Sequence, residues 1–134
     1  MRTRLNASLT AIAVSFFLAG GAMAASPLPA QSSSQSGVIV KITPRDLTAQ
    51  PWAFDVVFDT HSQPLTDDLA KTAVLVSDGG ASHPPLKWEG DPPGGHHRKG
   101  VLQFKPVSPM PAAIELQIRR SGESAPRSFR WQLK

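Results

Sequence analysis

The stretch Trp52-Ala53-Phe54-Asp55-Val56-Val57-Phe58-Asp59 decides the fold. Trp52, Phe54, Val56 and Phe58 share one parity, and Ala53, Asp55, Val57 and Asp59 share the other. Successive side chains of a β-strand point to opposite faces, so this segment has one apolar and one mainly polar face. The same period of two recurs outward in both directions. Val38, Val40 and Ile42 come before it. After it come the β-branched run Thr72–Ser77, then Leu86 with Trp88, Leu102 with Phe104, Ile114 with Leu116 and Ile118, and Phe129 with Trp131 and Leu133.

Turn chemistry separates these runs: Pro44-Arg45-Asp46, Ser77-Asp78-Gly79-Gly80, Asp91-Pro92-Pro93-Gly94-Gly95, Pro109-Met110-Pro111 and Ser121-Gly122-Glu123. Short alternating runs between such breaks predict an all-β, immunoglobulin-like antiparallel β-sandwich of about seven strands over residues 37–134. Strand order is not encoded in periodicity, so a cupredoxin-like or jelly-roll arrangement is the alternative. Trp52, Trp88 and Trp131 are assigned to the core or its edge. Thr66–Lys71 predicts a helical turn with Thr66 as its N-cap.

The beginning of the chain follows a different logic. Arg2 and Arg4 precede an apolar run, Leu9–Leu18, and Gly20-Gly21-Ala22-Met23-Ala24 ends in a small-x-small pattern. Residues 1–24 therefore read as a secretory signal peptide, too short in its apolar part for a spanning helix of about 20 residues. A periplasmic or secreted location is expected. Residues 25–36 are rich in Pro, Ser and Gln and are expected to form a disordered leader. Without Arg2 and Arg4, 12 basic residues stand against 10 acidic ones, scattered along the chain. No dense basic patch of the kind nucleic acid requires is present. The chain has no cysteine, so packing alone must stabilise it in an oxidising compartment.

The segment Gly94-Gly95-His96-His97-Arg98-Lys99-Gly100 is the most unusual in composition. Flanking glycines permit positive φ and close approach. Asp59 and His61 lie two apart after the strand over 52–58 and share a face if it continues. His61 with His96 or His97, and Asp59 as a further ligand or as the carboxylate holding a ring nitrogen, form an N/O set suited to Zn(II) or Cu(II). His83 and Met110 are weaker candidates. A second reading gives Arg98 and Lys99, with His97 and the backbone of Gly94-Gly95, to a small anion. A third makes the histidines architectural, bonded to loop carbonyls. Catalysis has little to stand on: there is no cysteine, no nucleophile-elbow serine and no H-E-x-x-H. The chain is expected not to be an enzyme.

Several landmarks together resemble a small exported β-sandwich domain of bacterial and archaeal hypothetical proteins with no established activity. They are Phe58-Asp59-Thr60-His61-Ser62, Asp68-Leu69, Trp88-Glu89-Gly90, Gly94-Gly95-His96-His97-Arg98 with Gly100, Ile114-x-Leu116-x-Ile118 and Arg127-x-Phe129-x-Trp131. The resemblance implies the sandwich and the exported location, and it names no substrate. Three functions are expected from the residues: a non-catalytic accessory domain of the cell envelope binding a transition metal at rim histidines, a protein-interaction scaffold with an architectural Gly-Gly-His-His-Arg loop, or a small-anion binder at Arg98 and Lys99.

Intact-mass analysis of the protein recovered from an exported fraction should give a chain beginning at Ala25. A mass retaining residues 1–24 would refute the cleavage site.

Overall fold

A computed structural model describes residues 27–134, so the expected signal segment lies outside the described residues. The body is all-β. It comprises β1 (Gln31–Gln35), β2 (Val38–Pro44), β3 (Trp52–Thr60), β4 (Ala73–Ser77), β5 (Ser82–His83), β6 (Lys87–Gly90), β7 (His97–Phe104), β8 (Ala113–Ile118) and β9 (Arg127–Gln132), with a helical turn, α1 (Leu69–Thr72), and a 3-10 turn over Asp78–Gly80. Two antiparallel sheets face one another, in the orders β1-β2-β3-β7-β6 and β5-β4-β8-β9.

The inward parity of each long strand supplies the core. Val38, Val40 and Ile42 of β2, Phe54, Val56 and Phe58 of β3, and Leu102 and Phe104 of β7 meet Leu75, Ile114, Leu116, Ile118, Phe129 and Trp131 of the opposing sheet. Phe54 stands edge-on to Phe104 at 5.7 Å and tilted to Trp131 at 5.8 Å. Such pairings favour one arrangement of the rings beyond simple burial. Trp52 is buried, and Trp88 is half-buried against the core's edge.

Three expectations need correction. Gln31–Gln35, assigned to the disordered leader, forms β1 and pairs with β2 from Gln31↔Ile42 to Gln35↔Val38. Backbone hydrogen bonds hold it rather than apolar burial, so composition does not reveal it. The strand around Leu102–Phe104 begins at His97, which moves His97–Gly100 from loop to strand. The helical turn starts at Leu69 with Asp68 as N-cap rather than Thr66, and Asp67, outside it, gives its carboxylate to Arg120. β5 is a short addition to the expected set.

One end of the sandwich is closed by charge. Arg120 makes a two-pronged contact with Asp67, at 3.0 and 3.1 Å, and reaches Glu123 at 3.2 Å. Arg127 grips Glu123 with two bonds of 2.9 Å and donates to the carbonyls of Ser33, Gln35 and Val38. All four side chains are at most 6% exposed. Burial pulls the Arg120 guanidinium down, but Asp67 and then Glu123 outweigh it and raise it on balance. The hydrogen bond from Arg127 holds Glu123 below its ordinary value, against the opposing effect of burial.

A carboxylate held below its ordinary value of 4.5 stabilises the fold above that pH, and the contribution drains away as the pH falls through the folded-state value. Urea titrations should therefore show stability falling below about pH 4.5, with the acid loss reduced in Glu123→Gln. Asp67→Ala, which removes the two-pronged partner of Arg120 and leaves it Glu123 alone, should cost up to about 3 kcal/mol near neutrality. An acid profile unchanged in Glu123→Gln would sink this account of the network.

Candidate functional site

The distinctive loop and the end of β3 do come together. Asp59 pairs with His97 in the β3–β7 register, and the N–H of Thr60 donates to the carbonyl of His96 at 2.9 Å. The Asp59 carboxylate meets Nδ1 of His97 on the outer face of the five-stranded sheet. Both side chains are about half-exposed, at 49% and 58%. The pair leaves Nε2 of His97 without a protein partner among the described residues. An exposed pair of this kind contributes about 0–1 kcal/mol.

The remaining candidates do not join it. His61 and His96 are exposed, and their rings make no hydrogen bond among the described residues. His83 bonds Ser77 Oγ through Nε2 at 3.0 Å on β5. Met110 sits 40% exposed at the far end of the sandwich. Among the described residues no group of three or more His, Cys, Asp or Glu side chains has the spacing to hold a metal ion. The set His61, His96, His97 and Asp59 thus reduces to the single contact between Asp59 and His97. The cause lies in β7. Once His97 belongs to a strand, its neighbour His96 cannot share its face.

Arg98 is likewise withdrawn from the surface on which the anion reading would use it. It follows His97 on the opposite parity and points inward, 1% exposed. Its Nη1 donates to the carbonyls of Asp67 at 2.7 Å and Leu65 at 3.3 Å, and its Nη2 to that of Asp91 at 3.2 Å. The guanidinium lies 5.6 Å from the centre of the Trp88 ring. Among the described residues its Nε is the buried side-chain atom left without a hydrogen-bond partner. Three neutral carbonyls and an aromatic face take the place of a counter-ion, a weaker solvation than a carboxylate. Lys99 stays exposed, and its backbone N–H bonds the Asp91 carboxylate at 2.9 Å.

The glycines of the motif divide the work. Gly94 and Gly95 have φ of 117° and 69° and turn the chain so that Leu65 can donate to Gly95 and accept from Gly94. Gly100 serves close packing. A Cβ there would lie 2.6 Å from the Trp88 ring and 2.7 Å from Gly90 Cα. Trp88 in turn donates from Nε1 to the carbonyl of Asp91 at 3.1 Å. Trp88, Gly90, Gly100 and Arg98 therefore form one clasp fastening the 63–68 segment and the 91–95 loop to the sheet.

Two recesses lie elsewhere. One of about 270 Å³ runs along Ser77–Gly80, Glu115 and Arg130 on the four-stranded sheet. A wider cleft of about 690 Å³ opens at the end opposite the histidines, lined mainly by Leu28, Pro44, Leu47, Met110 and Leu133.

No family model and no curated protein matches this chain. Among solved structures, a DUF4426 family protein from Pseudomonas aeruginosa PAO1 is similar at 16% identity, covering 77% of this chain and 96% of that one, with a TM-score of 0.49.

Sequence reading missed Arg98 as a buried residue, along with Asp67, Arg120, Glu123 and Arg127. Parity carries the signal for the arginines: Arg98 is in phase with Leu102 and Phe104, Arg120 with Ile114, Leu116 and Ile118, and Arg127 with Phe129 and Trp131. Arg98→Ala, which leaves the Asp67 carbonyl without its donor and the Leu65 and Asp91 carbonyls with one donor fewer, should destabilise by about 2–3 kcal/mol. His97→Ala should change stability by less than about 1 kcal/mol. Chemical denaturation that ranked them in the reverse order would place the anchor in the wrong residue.

Proposed function

We propose that this chain is a non-catalytic exported interaction module of the cell envelope, whose Gly-Gly-His-His-Arg segment is architectural. The observation that carries the reading is the inward turn of Arg98, with three of its hydrogen bonds given to backbone carbonyls of two neighbouring loops. A segment built to bind a metal or an anion leaves its donors or charges open to the ligand. Here the most basic member of the motif is consumed by the fold. The histidine left beside it, His97, has one carboxylate neighbour, which is short of the three protein ligands of an open Zn(II) site.

Thermal unfolding with and without ligand tests this directly. A ligand that binds only the folded form raises the midpoint. Zn(II), Cu(II) and inorganic phosphate at saturating concentration should each leave the midpoint unchanged, and Asp59→Ala with His97→Ala should not alter that. A metal-dependent rise abolished by the double substitution would restore the metal site and overturn the proposal. A phosphate-dependent rise lost in Lys99→Ala would do the same for the anion reading.

A further inference from the structure

The sandwich has four outer strand edges, those of β1, β6, β5 and β9. An uncovered edge presents unpaired N–H and C=O groups to any other strand, and proteins blunt such edges by shortness, charge or proline. β5 has only two residues. β6 has four and is bracketed by Pro84-Pro85 and Pro92-Pro93. On β9, the N–H and C=O of Arg130 are both taken by the side-chain amide of Gln31. Among the described residues β1 is the least protected: only Pro27 and Pro29 before it interrupt its edge. It is five residues, Gln31-Ser32-Ser33-Ser34-Gln35, without charge or proline.

The direction of its free groups follows from the ladder. The N–H of Thr60 goes to His96, so the even positions of β3 bond towards β7. The odd positions of β3 therefore face β2, at Ile39, Lys41 and Thr43. Val38, Val40 and Ile42 must then face β1, opposite Gln35, Ser33 and Gln31. Ser32 and Ser34 are left with N–H and C=O turned outward, and neither has a hydrogen-bond partner there among the described residues. The edge is also held firm. Arg127 binds the carbonyls of Ser33 and Gln35, and Ser36 and Gly37, with φ of 52° and 74°, close a tight hairpin to β2.

We propose that β1 is a homodimer edge, pairing antiparallel with β1 of a second copy about a two-fold axis at Ser33. The segment reads the same in both directions. The axis therefore sets Gln31 against the partner's Gln35, with serine against serine between them and no charge opposed to like charge. It also sets Ser32 against the partner's Ser34, so the outward groups of both copies meet as hydrogen-bonded pairs. A two-fold contact uses the same patch on each copy, so Ser32 meets the partner's Ser34 and Ser34 meets the partner's Ser32, and each hydrogen bond is made twice. The preformed edge loses little freedom on pairing. The contact is small, so the dimer is a weak one that grows with concentration. This inference does not depend on how the histidine segment is read.

Three measurements on the purified chain test it. Sedimentation equilibrium should show a monomer–dimer equilibrium. Ser34→Pro removes an outward N–H without touching the β1–β2 ladder, and it should weaken the dimer by about tenfold or more while the unfolding midpoint is retained. Should the proline disturb folding, Ser34→Lys keeps the backbone group, places like charges beside the axis, and should weaken the dimer as well. Because the protein has no cysteine, Ser33→Cys supplies a unique thiol at the axis. Opposed non-hydrogen-bonded positions lie about 4.5 Å apart at Cα, within disulfide range. Its covalent dimer should form faster than that of Lys71→Cys at an exposed site. A chain that stays monomeric up to about 1 mM, a dimer indifferent to both Ser34 variants, or thiol coupling no faster at 33 than at 71 overturns the proposal.

Discussion

A buried lattice of guanidinium groups at one end of the sandwich holds the two sheets in their relation to one another. Arg120 joins the chain after β8 to the segment before α1 through Asp67, and Arg127 joins β9 to the β1–β2 hairpin. Glu123 sits between the two and receives both. Arg98 extends the set by fastening Leu65, Asp67 and Asp91. Removing ions from water carries a large penalty, which the fold offsets only where every charge meets a partner of good geometry. The Arg120–Asp67 and Arg127–Glu123 contacts meet that condition. Arg98 meets it less fully, with an unpartnered Nε and a tryptophan face in place of a carboxylate.

The chemistry at the neighbouring surface follows from that lattice. To bring Arg98 inside, β7 must be a regular strand from His97 onward, and regular strand geometry sends neighbouring side chains to opposite faces. His97 is thereby committed to the outer face beside Asp59, and His96 is excluded from it. The composition that makes the segment conspicuous, two glycines, two histidines and an arginine, serves a turn, an exposed pair and a buried clasp in succession. Among the described residues the opposite end has no such lattice and opens instead into the apolar cleft around Leu47 and Met110.

Much of this was legible from residue order. The alternation from Val38 to Ile42 and from Trp52 to Phe58 gave the strands and the inward faces. The parity of Arg98, Arg120 and Arg127 also marked them as inward-facing, but composition argues against burying arginine without a visible counter-charge. Their partners, Asp67 and Glu123, lie in loops where no periodicity operates. β1 was hidden for a different reason. Gln31–Gln35 has no apolar side chain, and its place is held by backbone bonds to β2, the guanidinium of Arg127 and the Gln31 contact with Arg130. Each of these partners is remote or supplied by a strand that must first be in place.

The sequence by itself determined the all-β class, the inward apolar residues of the long strands and the absence of disulfide support, because each depends on the local side-chain period or on composition. Tertiary structure alone decided which sheet each strand joined, which histidine met Asp59, and which charges were buried. Those outcomes depend on register between distant segments, and a shift of one residue in register reverses every face.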